Sequence, residues 1–148
     1  MAEVIGLASS IAGLLSLTLQ VSQLSYEYIA NIKGASKSVS SYLKELLALS
    51  QILLQLKETL DGETVDKTFL PSPSPLSQFT IGECQHEIER IKERLEKRRD
   101  GPGIRSALRV MTWPFEEKET GKLIEVLHRW KGIFEAAIST SILFVFST

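Results

Sequence analysis

Three side chains in this 148-residue sequence are suited to nucleophilic or metal chemistry near neutral pH: Cys84, His86 and His128. Cys84 and His86 lie two apart, and His128 is distant in sequence. A zinc site needs three or four ligands in a compact pattern, and no clear spacing here supplies them. A Cys–His nucleophile is the other reading, but Cys84 falls on the apolar line of a helical pattern, where a cysteine acts as a small core residue. No glycine-rich phosphate loop is present, and no pair of carboxylates sits in a pattern that implies a pocket. The expectation is a chain with no catalytic residues, no metal and no cofactor.

Charge offers a second kind of chemistry. Residues 90–109 hold Arg90, Lys92, Arg94, Lys97, Arg98, Arg99, Arg105 and Arg109 and carry a net +5, whereas residues 57–89 carry a net −5. The whole chain is nearly neutral at −1, which gives no reason to expect a nucleic-acid partner. A basic end of this kind contributes about 1 kcal/mol per well-placed cation on an anionic lipid surface. Arg90, Arg94, Lys97, Arg98, Arg99, Arg105 and Arg109 are the candidates for that contact; the competing reading is a solvated helix face with intrahelical pairs. Glu3 is the one charge at the extreme N-terminus. It either lines an opening as a ring of carboxylates in an oligomer or complements a helix dipole in its first turn.

These residues sit on helices. From Val4 to Tyr26 no residue is charged, twenty-three positions in a row. Through this run passes a stripe of small or polar residues, Ala2, Gly6, Ser9, Gly13, Ser16, Gln20 and Gln23, at alternating spacings of four and three. Such a stripe keeps to one side of a helix. A surface helix usually shows the reverse, an apolar stripe on a polar body, so this segment is expected to be buried nearly all round or to sit in lipid. At 1.5 Å per residue the run is about 34 Å long, against a bilayer core of about 30 Å. Eight polar residues within it argue against a lone span, though a bundle or self-association would satisfy them. The stripe is therefore either a close-packing face between copies of the helix in a membrane assembly or the means by which the helix sits in the centre of its own bundle.

Four helical patterns and no strand pattern follow from periodicity, over one domain of residues 1–148. The first covers Ala2 to about Ile29, with Gly34 as a stop. The second starts near Ser36 or Ser38 and runs to about Leu60. Its seam is Val39, Tyr42, Leu46, Leu49, Ile52/Leu53, Leu56 and Leu60, widened by Leu43, Leu47 and Leu54, so it is expected to be mostly core. A Pro/Ser-rich loop spans residues 61–76. The third helix starts between Ser74 and Thr80, capped by Ser74–Pro75 or by a Thr80-x-x-Glu83 box. Its apolar line is Ile81, Cys84, Ile88, Ile91 and Leu95, and the rest faces solvent. A short helical piece over Ile104 to Met111 leads to Trp113-Pro114-Phe115. These aromatics either plug the bundle end or anchor at a membrane interface. The last helix begins at Glu116 or Thr120 with Leu123, Leu127, Trp130, Phe134, Ala137/Ile138 and Ser141 as its seam. Its apolar close suggests that a larger protein continues. The fold expected is all-α, an antiparallel bundle of four long helices plus the short piece. One cysteine and the lack of a basic leader favour an intracellular site.

The opening Met1 to Leu17 resembles the start of the HeLo-like N-terminal domain of fungal STAND proteins, the NLR-like receptors of filamentous fungi. The likeness runs through Tyr26 and Ala35-Ser36-Lys37 to Leu43–Leu56. It returns at Cys84, at Trp113-Pro114-Phe115 with Glu117-Lys118-Glu119, and at Lys131 to Ala137. The resemblance implies a helical bundle working with an upstream or linked nucleotide-binding receptor module and self-associating on activation. It implies a cytoplasmic domain that moves to the plasma membrane and executes cell death there, with Met1 to about Ile29 as the inserting helix; contact with anionic lipids is the expectation from the basic segment. The alternative is a non-enzymatic signalling or oligomerisation module that binds protein partners and never enters lipid.

Overall fold

Hydroxyls and carboxylates set where the second, third and fourth helices begin. Ser36 Oγ accepts from the Val39 amide at 3.3 Å, which starts α2 (Lys37–Asp61). Ser77 Oγ accepts from the Thr80 amide at 3.1 Å, which starts α3 (Gln78–Arg99). The cap of α3 is thus Ser77. Thr80 and Glu83 lie inside the helix, and Ser74–Pro75 lies outside the described residues. At α4 (Glu117–Ser147) the Glu119 side chain reaches back to the Glu116 amide at 3.4 Å, half of a capping box. α1 covers Ala2–Asn31.

The protein is described here as a computed structural model, covering residues 2–31, 36–61, 77–99 and 113–147, with side chains over 6–31, 36–61, 77–97 and 113–139. Among these residues the fold is all-α, four long helices and no strand. The expected short piece at Ile104 to Met111 lies outside them, as does most of the Pro/Ser-rich loop.

Cross-helix contacts give the arrangement. Ser25 meets Tyr42, so α1 and α2 run antiparallel. Ser10 meets Gln78 and Tyr28 meets Leu95, so α1 and α3 run parallel. Ser38 meets Glu117, and Glu45 meets Lys131, so α2 and α4 also run parallel. Trp130 and Arg129 meet Glu87, whereas Arg94 meets Glu119, so α3 and α4 run antiparallel. Consecutive helices alternate in direction, yet the order round the bundle is α1–α2–α4–α3. α2 and α3 therefore occupy opposite corners.

The core lies on one seam of each helix. α1 contributes Leu7, Ile11, Leu14, Leu17, Val21, Leu24 and Tyr28; α3 contributes Ile81, Cys84, Ile88, Ile91 and Leu95. α4 contributes Leu127, Trp130, Phe134 and Ala137, with Leu123 and Ile138 packed at the edge. On α2 the expected seam is buried throughout, from Val39 to Leu60. The expected widening holds only at Leu43, which is partly buried and packs against the core; Leu47 and Leu54 are 44% and 45% exposed. The seam alone fills the space between α1 and α4, leaving those leucines at the outer margin.

Polar atoms inside this core are satisfied. Thr18 donates to the Leu14 carbonyl and Ser22 to the Thr18 carbonyl, each at 2.8 Å, the back-bonding that lets a hydroxyl face a core. Ser25 and Tyr42 share a hydrogen bond of 2.8 Å. Tyr28 donates to the Leu95 carbonyl at 2.6 Å, tying the end of α1 to the last turns of α3. Burial pushes the Tyr42 phenol well above its ordinary range, only partly offset by the Ser25 bond, so both partners of that bond are neutral.

Two adjacent leucines on α2 test this division. Leu53 is fully buried, whereas Leu54 is exposed. Leu53→Ala is expected to lower the unfolding free energy by about 2–5 kcal/mol. Leu54→Ala, at a concentration where the chain is monomeric, is expected to change it by under about 0.5 kcal/mol. Urea titrations followed by far-ultraviolet circular dichroism separate the two.

Candidate functional site

Glycine in a helix costs about 1 kcal/mol relative to alanine, so a helical glycine needs a packing reason. Gly13 has none in this bundle: a Cβ built there would meet nothing within 4 Å. Gly6 is half-buried, and its Cβ would meet only the flexible end of Gln78, at 2.9 Å from Nε2. Ser9, Gly13, Ser16, Gln20 and Gln23 are all exposed. The stripe therefore faces solvent. It is not what lets α1 sit at the bundle centre; that place belongs to the leucine-rich seam with Thr18, Ser22 and Ser25. Nor is α1 buried all round. Its stretch Gly6–Asn31 is long and apolar enough to cross a membrane, and half of that window is buried in the bundle. Ala2 and Glu3 lie in the first turn, with their side chains outside the described residues.

What remains on the outer side of α1 is an exposed helix face without a charge between residues 6 and 26. α3 shows the usual alternative, with Glu83, Glu89, Arg90, Glu93 and Lys97 exposed.

The basic segment divides. Arg90 and Lys97 are exposed. Arg98 and Arg99 end α3 with side chains outside the described residues, and Arg105 and Arg109 lie outside them altogether. Arg94 is engaged within the fold. It pairs with Glu119 at 3.2 Å, donates to the Pro114 carbonyl at 2.6 Å and lies 4.6 Å from the Phe115 ring centroid. The spacing of cations in sequence could not separate this arginine from its neighbours, because its partners arrive from the loop ahead of α4.

That clamp holds the aromatic segment against the bundle end. Trp113 makes edge contacts with Tyr28 at 6.0 Å and Tyr42 at 5.2 Å between centroids, and lies 5.4 Å from Phe115. Its indole donates to Thr120 Oγ1 at 3.0 Å. Trp113 thus closes the end where α1 finishes and α2 starts.

Cys84 is fully buried on the α3 seam. Burial, then the nearby Glu87 carboxylate, pushes its thiol well above the ordinary range, so it is held as the unreactive thiol. His86 is exposed; His128 lies on α4, with Nδ1 3.7 Å from Glu45. Among the described residues no group of three or more His, Cys, Asp or Glu could hold a metal ion.

Fold and site together define an all-helical domain whose distinctive surface is one uncharged helix face. The chain belongs to the family described as "Pigment biosynthesis cluster protein PigL N-terminal", whose model matches residues 2–143. No curated protein and no solved structure matches it significantly.

Two measurements probe the closed end. Trp113→Ala should cost about 3 kcal/mol, the low end for aromatic truncation because the ring is only partly buried. Glu119 is held below the ordinary carboxylate range, first by the Glu116 amide and then by Arg94. A lowered folded-state value contributes stability above the ordinary carboxylate pKa of about 4 that is lost as pH falls through the folded value. Glu119→Gln should therefore flatten the acid limb of the stability–pH curve and leave the alkaline limb unchanged.

Proposed function

We propose that this domain is a membrane-targeting effector of the HeLo-like kind, an executor of cell death in a fungal NLR-like system. It rests in the cytoplasm as the closed bundle. Clustering, driven by a linked nucleotide-binding module, releases α1, which self-associates and inserts into the plasma membrane. The observation that carries this reading is the solvent-facing stripe of α1. It has no charge to oppose entry into lipid, and Gly13 costs helix stability without any packing return in the closed bundle. Small residues at this spacing let helices approach closely in a bilayer. The family assignment places the chain among pigment-cluster N-terminal domains, and the resemblance to HeLo-like domains supplies the finer reading. Arg90 and Lys97, with the arginines that follow them, would meet anionic headgroups as the bundle approaches the membrane.

The structure selects the variant that tests this. Deleting residues 1–25 removes much of the core, so loss of activity there would be ambiguous. Gly13→Glu is exposed and leaves the core alone. The protein fused to an inducible clustering module is mixed with dye-loaded vesicles of mixed anionic and neutral lipid. Clustered wild type should release dye, and Gly13→Glu, folded by circular dichroism, should not. Clustered wild type that neither binds vesicles nor releases dye would sink the proposal in favour of a protein-binding module. In the same series Gly13→Ala should raise the stability of the resting bundle by about 1 kcal/mol.

A further inference from the structure

Five large apolar side chains among the described residues are exposed, and four lie along one groove. Leu19 and Tyr26 are 51% and 62% exposed on α1; Leu47 and Leu54 are 44% and 45% exposed on α2. Successive helical residues turn about 100°, which places each of them. On α1, Tyr28 marks the side facing α3 and Ser25 the side facing α2. Leu19 and Tyr26 lie further round in that same direction, beyond Ser25. On α2, Ser38 and Glu45 mark the side facing α4, and Leu47 and Leu54 lie on the other side, beyond the Tyr42 seam. All four therefore rim the outer α1–α2 groove, opposite in the ring to the α3–α4 seam.

The neighbouring charges say what fits there. Lys44, Gln51 and Glu58 recur every seven residues along the exposed face of α2, beside Leu47 and Leu54. Lys57, nearer the groove, pairs with Asp61 at 3.1 Å, and Lys37, one further step of seven before Lys44, is exposed at the start of α2. Lys44 and Glu58 have no ion-pair partner among the described residues. A cation at one end of a leucine row and a carboxylate at the other oppose deep burial in lipid. They suit an oppositely directed copy of the same row.

The geometry points to a two-fold dimer of this chain through the outer α1–α2 groove, with the α2 helices antiparallel and the axis near Gln51. Lys44 of each copy then faces the partner's Glu58, and Leu47 lies beside the partner's Leu54. A closed two-fold contact uses one patch twice, so each attraction occurs twice. The parallel alternative would set Lys44 beside Lys44 and Glu58 beside Glu58, which is unfavourable. Leu19 and Tyr26 are covered at the margin. Gly13 lies toward the α3 edge of α1, so the dimer leaves Gly13 uncovered, and of the stripe only Gln23, between Leu19 and Tyr26, falls at its margin.

The test uses the full chain in sedimentation equilibrium. Wild type should dimerise, and Leu47→Glu with Leu54→Glu, both outside the core, should give a folded monomer. Lys44→Glu alone and Glu58→Lys alone should each weaken the dimer about tenfold, because two attractive pairs become two repulsive ones. Mixed in equal amounts, the two single variants should recover a wild-type dimer, since every facing pair is then Glu against Lys. A monomeric wild type up to its solubility limit would overturn the proposal. So would a dimer indifferent to the leucine and charge changes, or a mixture that fails to recover.

Discussion

The antiparallel pairing of α1 with α2 is the spine of this fold. α3 packs its backbone closely against α1, and α4 does the same against α2. Opposite corners meet little, so each outer helix depends on one member of the central pair. The pairing is sealed at its outer end by Ser25 with Tyr42 and by the Trp113 ring set against Tyr28 and Tyr42. Because the hydroxyls there are neutral and fully partnered, that end needs no buried charge, and its cohesion is aromatic and apolar. The clamp of Arg94 on Glu119 and Pro114 keeps the aromatic segment in place.

The sequence made some of this legible and hid the rest for physical reasons. α3 was readable because charge surrounds a narrow apolar line, so contrast marks the buried face. α1 offers no such contrast. Thr18, Ser22 and Ser25 lie inside, whereas Ser9, Ser16 and Gln20 lie outside, and composition cannot tell the two sets apart. What separates them is back-bonding within the helix and a partner tyrosine, neither of which is visible before packing is known. The same holds for α2, where Leu53 and Leu54 are chemically identical neighbours on opposite sides of the boundary. The parallel neighbours α1/α3 and α2/α4 were also illegible, because alternation along the chain fits several orders round a bundle. The stripe was found by spacing alone, but its direction was not, and direction is what gives it meaning.

The outward stripe and the inward leucine seam are separate surfaces of α1. The leucine seam of α1 serves the bundle, and the stripe is already free. For α1 to leave, its seam must be uncovered from α2 and α3. That is a large apolar cost which some differential interaction has to offset before the open state is populated. In the proposed release, small-residue contacts between helices and transfer of the seam into lipid would be of the right kind, since the seam is without charge from Leu7 to Leu24.

The order of helices round the bundle has a consequence for cooperativity. α3 is the most charged helix and looks the most independent, yet its close neighbour is α1, the most apolar one. Its tie to α4 runs through side chains at Glu87, Arg94 and their partners. Tyr28 also donates to a carbonyl in the last turns of α3. α1 and α3 therefore form one opening unit in the sense of amide-exchange protection. Were the first helix to depart as proposed, the third would lose its protection with it, whereas α2 and α4 would keep each other.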